Sequence, residues 1–300
     1  MSGGEPTVTT GGGDRRATLA AVPMFTTSDG VQLRYETFGA GSPVAVLQGG
    51  PSNICDSLIA ELAPMASEHT WIFHDYRGSG RSGSAPTETY RFDRIADDLN
   101  ELRQHLGHSS MAVVAHSMGG FMAVHYALRH PEACDRLALV GTTPCGKAAP
   151  MALPLLRALG PLRTMKAIAM AARFLVFWSW RRPSLEKMKA GSAPMSVTQE
   201  ARRELRAKVA ATRMPAIEND NAAELMRVMH DVDLRPDLAR ITCPVLVLYG
   251  SRDAVMVAGG KLHARHLDDP EIVVLPDIGH EPFIEAPDET FAVLRAFLDG

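Results

Sequence analysis

The sequence predicts an α/β protein whose core is a mostly parallel sheet with helices on both faces. Short apolar segments rich in β-branched residues recur along the 300 residues, and segments with apolar residues at three-to-four spacing lie between them. The later strand segments are continuously apolar rather than alternating, which is typical of strands that helices cover on both faces. Strands that alternate with helices along a chain pair in parallel, and this is the basis of the predicted fold class.

The predicted strands and helices alternate in a regular order. Strands are predicted at residues 31–39, 43–49, 70–76, 110–117, 136–143, 244–250 and 271–277. Helices are predicted at residues 92–106, 118–130, 256–267 and 287–298. In sheets of this class the functional groups lie on loops at the carboxyl ends of the strands, so we expect the chemistry there.

The alternation stops in one long block of the chain. Residues 148–234 contain several helical stretches and no convincing strand, and we interpret them as a helical cap inserted into the core. The core is then formed by residues 22–147 and 235–300. Residues 1–21 begin with a Gly- and Thr-rich stretch that has almost no apolar side chains, which predicts a flexible tail.

Charge is distributed unevenly between the predicted cap and the core. Residues 151–240 hold 16 Lys and Arg against 9 Asp and Glu, although the whole chain has a net charge of −3. The surplus forms solvated helix faces, or it attracts an anionic substrate or an acidic carrier protein. The net charge offers no case for nucleic acid as a partner. No apolar run approaches the roughly 20 residues needed to span a bilayer, so no membrane association is expected.

The cysteines suggest neither a metal site nor a disulfide framework. Cys55, Cys134, Cys145 and Cys243 are scattered without C-x-x-C spacing. We expect reduced thiols in a cytoplasmic protein that needs no metal or other cofactor. The oligomeric state does not follow from the sequence.

The stretch "VVAHSMGGFMAVHYAL" (113–128) predicts a serine nucleophile. It runs from a strand through Ser117 into a helix, and such a turn forces the serine into a strained conformation with its hydroxyl exposed above the sheet. The residues two before and two after must be small, as Ala115 and Gly119 are. The helix amino terminus also favours negative charge that develops beside Ser117. The alternative is a serine that only caps the helix.

A serine needs a base, and the base needs an acid that orients it. Asp253 follows the strand of "VLVLYGSRD", and His280 follows the next strand in "VVLPDIGH". Both residues are therefore expected at the same sheet edge as Ser117, in the chain order Ser, Asp, His. Asp277 is the alternative acid, but it precedes the histidine too closely to orient its ring from the far side.

These residues resemble those of the α/β-hydrolase fold, and the resemblance covers about residues 22–300. Two loops narrow it to the proline iminopeptidase-like branch: "QGGPS" (48–52) is similar to H-G-G-P-G, and "DYRGSGRS" (75–82) is similar to D-x-R-G-x-G-x-S. The resemblance implies that the backbone amides of Gly50 and Met118 form an oxyanion hole. Pro51 has no N–H to donate, which agrees with this choice.

The chain also departs from the family pattern. Gln48 stands where the family usually has histidine, and its amide is expected to brace the loop. In the aminopeptidases of this branch, cap glutamates bind the free amine of the substrate. Glu218 in "AIENDNAAE" matches one of them, whereas the "FWSWRRPS" stretch carries Arg181 where the other is expected. We therefore name the following residues as candidates for substrate binding: Gln48, Trp178, Trp180, Arg181 and Glu218.

Together these features predict a serine hydrolase that cleaves an acyl bond of a small molecule or short peptide. An aminopeptidase-like or amidase-like reaction is the first interpretation, and an ester, lactone or thioester is the alternative because the same triad cleaves them all. The Arg181 charge favours a substrate that bears an acid. A non-hydrolytic enzyme on the same scaffold, such as a lyase, a cyclase or a cofactor-free oxygenase, is a further alternative that the change at Gln48 suggests.

Overall fold

The computed structural model describes residues 22–50, 55–146 and 220–300, together with Met165. Its centre is an eight-stranded sheet with the strand order β1-β2-β4-β3-β5-β6-β7-β8. The strands are β1 Met24–Thr26, β2 Gln32–Gly39, β3 Pro43–Leu47, β4 Thr70–His74, β5 Met111–His116, β6 Cys134–Val140, β7 Val245–Gly250 and β8 Glu271–Leu275. The six neighbouring strands β4, β3, β5, β6, β7 and β8 pair in parallel. Strand β2 pairs antiparallel with both β1 and β4. The predicted fold class is confirmed.

Helices connect most of the strands. In the described residues they are α1 Asp56–Leu62, α2 Phe92–His105, α3 Gly119–Arg129, α4 Asp220–Asp231, α5 Ala254–His266, α6 Pro282–Glu285 and α7 Pro287–Asp299. Every strand and helix predicted within these residues is present, with ends that differ by a few residues. The prediction did not include β1, α1 and α6, because segments of three to seven residues are too short to show a period.

Side chains on the two faces of the sheet pack into two separate cores. Ala45 and Leu47 of β3 point into the core that α2 and α3 cover, whereas Val44 and Val46 point into the core that α1 and α7 cover. Strand β5 is buried along its whole length. This burial on both faces is the physical reason that the central strands are continuously apolar.

Part of the predicted cap lies within the described residues. Helix α4 falls within the residues predicted to form the cap. Two residues after this helix ends, Asp233 forms an isolated antiparallel β-bridge with Cys145. The cap boundaries at 148 and 234 stay a prediction. Within the residues that the structure describes, no helix combines the length and the apolar character required to cross a bilayer.

Candidate active site

Ser117 occupies the turn between β5 and α3 in a strained conformation. Its φ is 52°, in the left-handed region that non-glycine residues rarely adopt. Its backbone N–H donates to the Val140 carbonyl of the neighbouring strand over 3.0 Å. The strand end and this hydrogen bond therefore hold the serine at the carboxyl edge of the sheet, as the sequence predicts.

Gly49 and Gly119 allow the loop after β3 and the start of α3 to pack closely around Ser117, where a side chain would clash. A Cβ atom at Gly49 would lie 2.7 Å from the Ser117 Cβ, and one at Gly119 would lie 2.4 Å from the Leu47 carbonyl oxygen. Both distances are far below van der Waals contact. The close packing of the 48–50 loop and the start of α3 against this serine thus requires glycine at these two positions.

The predicted base and acid lie beside Ser117. The Ser117 Oγ is 3.0 Å from His280 Nε2, and His280 Nδ1 is 2.5 Å from Asp253 Oδ2. His280 and Asp253 are buried, and Ser117 is half-buried. The three side chains form a continuous hydrogen-bond chain, in which the serine O–H can donate to Nε2 while the Nδ1–H donates to the carboxylate.

Asp253 is fixed by a second hydrogen bond. Its Oδ1 accepts from the Met256 backbone N–H over 3.2 Å, so the same carboxylate caps the amino terminus of α5. Asp277, the alternative acid, is exposed and pairs with Arg252 instead. The structure therefore brings Asp253, and not Asp277, to the histidine.

The environment of His280 favours its protonated form. Burial lowers the pKa of His280, but the charge of Asp253, the hydrogen bond to it and the charges of Glu281 and Glu285 together raise that pKa by more, so the net shift is upward. An imidazolium that forms beside Asp253 is thus stabilised. This is the electrostatic property that a base needs when it takes a proton from a neutral serine.

His116 is a contact of the site that the sequence analysis did not predict. Its Nε2 donates to the His280 carbonyl oxygen over 2.9 Å, and the two rings lie 5.1 Å apart between centroids. Burial lowers the pKa of His116 against the opposing attraction of Glu281, which favours the neutral ring with one N–H to donate. His116 is adjacent to Ser117 in the chain, but nothing in the sequence shows that it reaches across to the loop of His280.

The two residues predicted to form an oxyanion hole lie in the loop after β3 and directly after Ser117. Gly50 has a φ of 71°, which favours glycine at this position. Met118 follows Ser117 directly and forms the N-cap of α3, where backbone N–H groups have no partners within the helix. Pro51 and Ser52 of the same predicted loop lie outside the described residues.

Buried hydrogen bonds brace the loop that carries Gly50. The Gln48 Nε2 donates to the His74 carbonyl oxygen over 3.2 Å, and the Gln48 carbonyl oxygen accepts from the Tyr76 hydroxyl over 2.8 Å. Asp75 is fully buried and accepts from the backbone N–H groups of Cys55 and Arg81, each over 3.0 Å. The "DYRGSGRS" segment thus holds both Gln48 and Cys55 by buried hydrogen bonds.

The remaining candidates for substrate binding cannot be placed by the structure. Trp178, Trp180, Arg181 and Glu218 lie outside the described residues. No group of three or more His, Cys, Asp or Glu side chains in the described parts of the chain has a geometry that could hold a metal ion.

Residues 43–287 match the model of a protein family described as the alpha/beta hydrolase fold. The chain belongs to the α/β-hydrolase fold family. It is 26% identical to a proline iminopeptidase from Heyndrickxia coagulans over 89% of this chain and 94% of that protein. A shorter match, 40% identical over 110 residues, joins 36% of this chain to 39% of a non-heme chloroperoxidase of Kitasatospora aureofaciens.

Solved structures of the α/β-hydrolase fold superpose along nearly the whole chain. A proline iminopeptidase-related protein from Thermus thermophilus matches with a TM-score of 0.72 and 23% identity, covering 93% of this chain and 98% of that one. The predicted membership of the proline iminopeptidase-like branch is confirmed by the family match and by the proline iminopeptidases among the relatives in sequence. A lipase and an esterase also occur among the relatives in sequence, at 26% and 27% identity, which supports hydrolase activity but not a particular bond.

Proposed function

We propose that the protein is a serine hydrolase that cleaves an acyl bond of a small molecule or short peptide. The observation that carries the proposal is the hydrogen-bond chain from Ser117 through His280 to Asp253, with distances of 3.0 and 2.5 Å. Ser117 is the nucleophile, His280 is the general base and then the general acid, and Asp253 holds the imidazole in the tautomer whose Nε2 can accept a proton.

The proposed reaction has two halves. As Ser117 Oγ attacks the acyl carbon, its proton moves to His280 Nε2, and the negative charge of Asp253 stabilises the imidazolium that forms. His280 then protonates the leaving group, and an acyl-enzyme forms on Ser117. Water attacks this ester with His280 again as the base, which releases the acid and restores the serine.

The oxyanion of each tetrahedral intermediate is proposed to bind the amides of Gly50 and Met118. The packing of Gly49 against Ser117 supports this, because it brings the loop within reach of the reacting carbon. A hole of two preorganised donors contributes on the order of 10²- to 10³-fold in kcat per donor. Gln48 is proposed to fix the conformation of this loop, since its side chain is buried and donates to the His74 carbonyl oxygen.

For the bond type, an aminopeptidase-like or amidase-like reaction is the first proposal because of the similarity to proline iminopeptidases. Ester, lactone or thioester hydrolysis is the second, and the esterases and lipases among the relatives favour it. The surplus of basic residues in 151–240 supports a substrate that carries an acid, with Trp178, Trp180, Arg181 and Glu218 as proposed contacts. The short match to a chloroperoxidase keeps a non-hydrolytic reaction as a further candidate.

Two experiments test the proposal. A fluorophosphonate probe should label the wild-type protein at Ser117 and should not label Ser117→Ala. Turnover of a panel of proline and alanine arylamides and p-nitrophenyl esters should be lost in Ser117→Ala while the circular dichroism spectrum is unchanged. The ratio of arylamide to ester turnover separates the two bond types, and near-normal turnover in Ser117→Ala would disprove the mechanism.

A further inference from the structure

Two cysteines that are far apart in the chain meet at the amino ends of neighbouring strands. Cys134 is the first residue of β6, and Cys243 lies two residues before β7. Their Sγ atoms are 3.7 Å apart, although 109 positions separate the residues in the sequence. The parallel pairing of β6 with β7, in which Leu137 is the partner of Val245, holds the two backbones together.

The two thiols differ in a way that suits a nucleophile and a resolving partner. Cys134 is buried, whereas Cys243 is partly exposed and can be reached by a small oxidant. The contact between the two thiols lowers the pKa of Cys243 and outweighs the opposing effect of burial, while the same contact and burial raise the pKa of Cys134. The partly exposed sulfur of Cys243 is therefore the one on which a thiolate is favoured, since water can solvate its charge.

We propose that Cys134 and Cys243 are a peroxide-sensitive pair that forms an intramolecular disulfide. The Cys243 thiolate attacks one oxygen of hydrogen peroxide; an S–O bond forms, the O–O bond breaks, and hydroxide leaves and takes up a proton. Cys134, as it loses its proton, then attacks the sulfenic sulfur; the S–S bond forms, the S–O bond breaks, and a second water leaves. Overall, two thiols are oxidised to one disulfide and one peroxide is reduced to two waters.

The geometry requires little rearrangement. The sulfur atoms must approach from 3.7 Å to the disulfide length of about 2.05 Å, a movement of less than 2 Å. The bond would lie at the amino edge of the sheet, whereas Ser117 and His280 lie at the carboxyl edge. It would also close a loop that contains the whole segment between β6 and β7, including residues 148–234. The disulfide is thus expected to stabilise the fold.

The experiment uses the full chain, reduced with dithiothreitol, freed of reductant and treated with a small excess of hydrogen peroxide. Intact mass should fall by two hydrogen atoms, and digestion without reduction should yield a Cys134–Cys243 linked peptide that dithiothreitol cleaves. The thermal midpoint should rise by roughly 5 to 15 °C, as expected for closure of a loop of this length. In Cys134→Ser the reaction should stop at a sulfenic acid on Cys243 that dimedone traps.

Cys145→Ser is the matched control, because Cys145 is buried and should leave both the linkage and the thermal shift unchanged. The proposal is overturned if the wild-type chain instead gains oxygen at Cys243, forms intermolecular dimers, or links a different pair of cysteines. Since these results are read from the wild-type protein, a variant that fails to fold does not affect them. They are also independent of the proposed hydrolase reaction.

Discussion

Replacing Asp253 by Asn should change which nitrogen of His280 carries the proton. The Oδ1 of Asp253 accepts from the Met256 N–H, and the Oδ2 accepts from His280 Nδ1. In Asp253→Asn the amide oxygen must stay on the Met256 side, because an NH₂ group there would face another donor. The NH₂ group then donates to Nδ1, so the ring proton moves to Nε2, where it blocks the transfer from Ser117.

The expected loss is large because the productive tautomer loses its partner. Tautomer reversal of this kind lowers kcat on the order of 10³- to 10⁴-fold, which corresponds to about 4 to 5.5 kcal/mol of transition-state stabilisation. The variant should stay folded, since Asn is also a good N-cap for α5, but it should lose some stability at neutral pH because the charge that raises the pKa of His280 is gone. The measurements are kcat and KM for an ester or arylamide that the wild type hydrolyses, together with urea denaturation.

The pH dependence of kcat/KM distinguishes a wrong tautomer of His280 from a His280 that is inactive because it is protonated. In the wild type the pKa of His280 is raised, so kcat/KM should increase with pH along a limb whose midpoint lies above about 6.5. Removing the Asp253 charge lowers that pKa, and the midpoint should shift to lower pH in Asp253→Asn. At neutral pH the variant therefore holds more neutral histidine than the wild type and is still slow.

Asp277→Asn is the matched control, because Asp277 lies in the loop before His280 but pairs with Arg252 on the surface. It should keep wild-type kinetics. The reasoning about Asp253 is refuted if Asp253→Asn retains more than a tenth of the wild-type kcat. Equal losses in both variants would mean that the loop, and not the tautomer, determines the rate.

Three further predictions concern residues that support the site. His116→Phe removes a hydrogen bond to the proposed catalytic histidine and should lower kcat by about tenfold with little change in KM, while His116→Gln, which retains a donor, should recover part of the rate. Arg77→Leu removes the bidentate partner of buried Asp98 and leaves it only the hydrogen bond from Arg94, so it should destabilise the fold by about 3 kcal/mol in urea denaturation. A smaller cost for the double variant with Asp98→Leu would support this cause, and an equal or larger cost would contradict it. Gly120→Ala places a Cβ 2.1 Å from the Thr142 hydroxyl and should cost about 1 to 3 kcal/mol by the same measurement, whereas an unchanged midpoint would show that helix α3 shifts freely.

Much of the site could be predicted because its residues follow strands whose continuous apolar runs are easy to recognise in the sequence. Ser117, Asp253 and His280 each follow a continuously apolar strand, and parallel strands present their carboxyl ends at one edge. The strand order did not need to be known for this step, since any parallel arrangement brings these loops to the same edge. Gly119 could be predicted because the turn around the serine needs a small residue two positions after it, whereas the contacts that exclude a side chain at Gly49 and Gly119 are made between segments distant in the chain.

By itself, then, the sequence determined the fold class, the identity of the three aligned side chains and their chain order, because these depend on local periodicity and on the spacing of turns. Only the tertiary structure decided which long-range contacts form. His116 reaches the His280 carbonyl, and Cys134 meets Cys243, because β5, β6 and β7 are neighbours in the sheet. That neighbourhood results from the packing of the whole core, and no short stretch of residues encodes it.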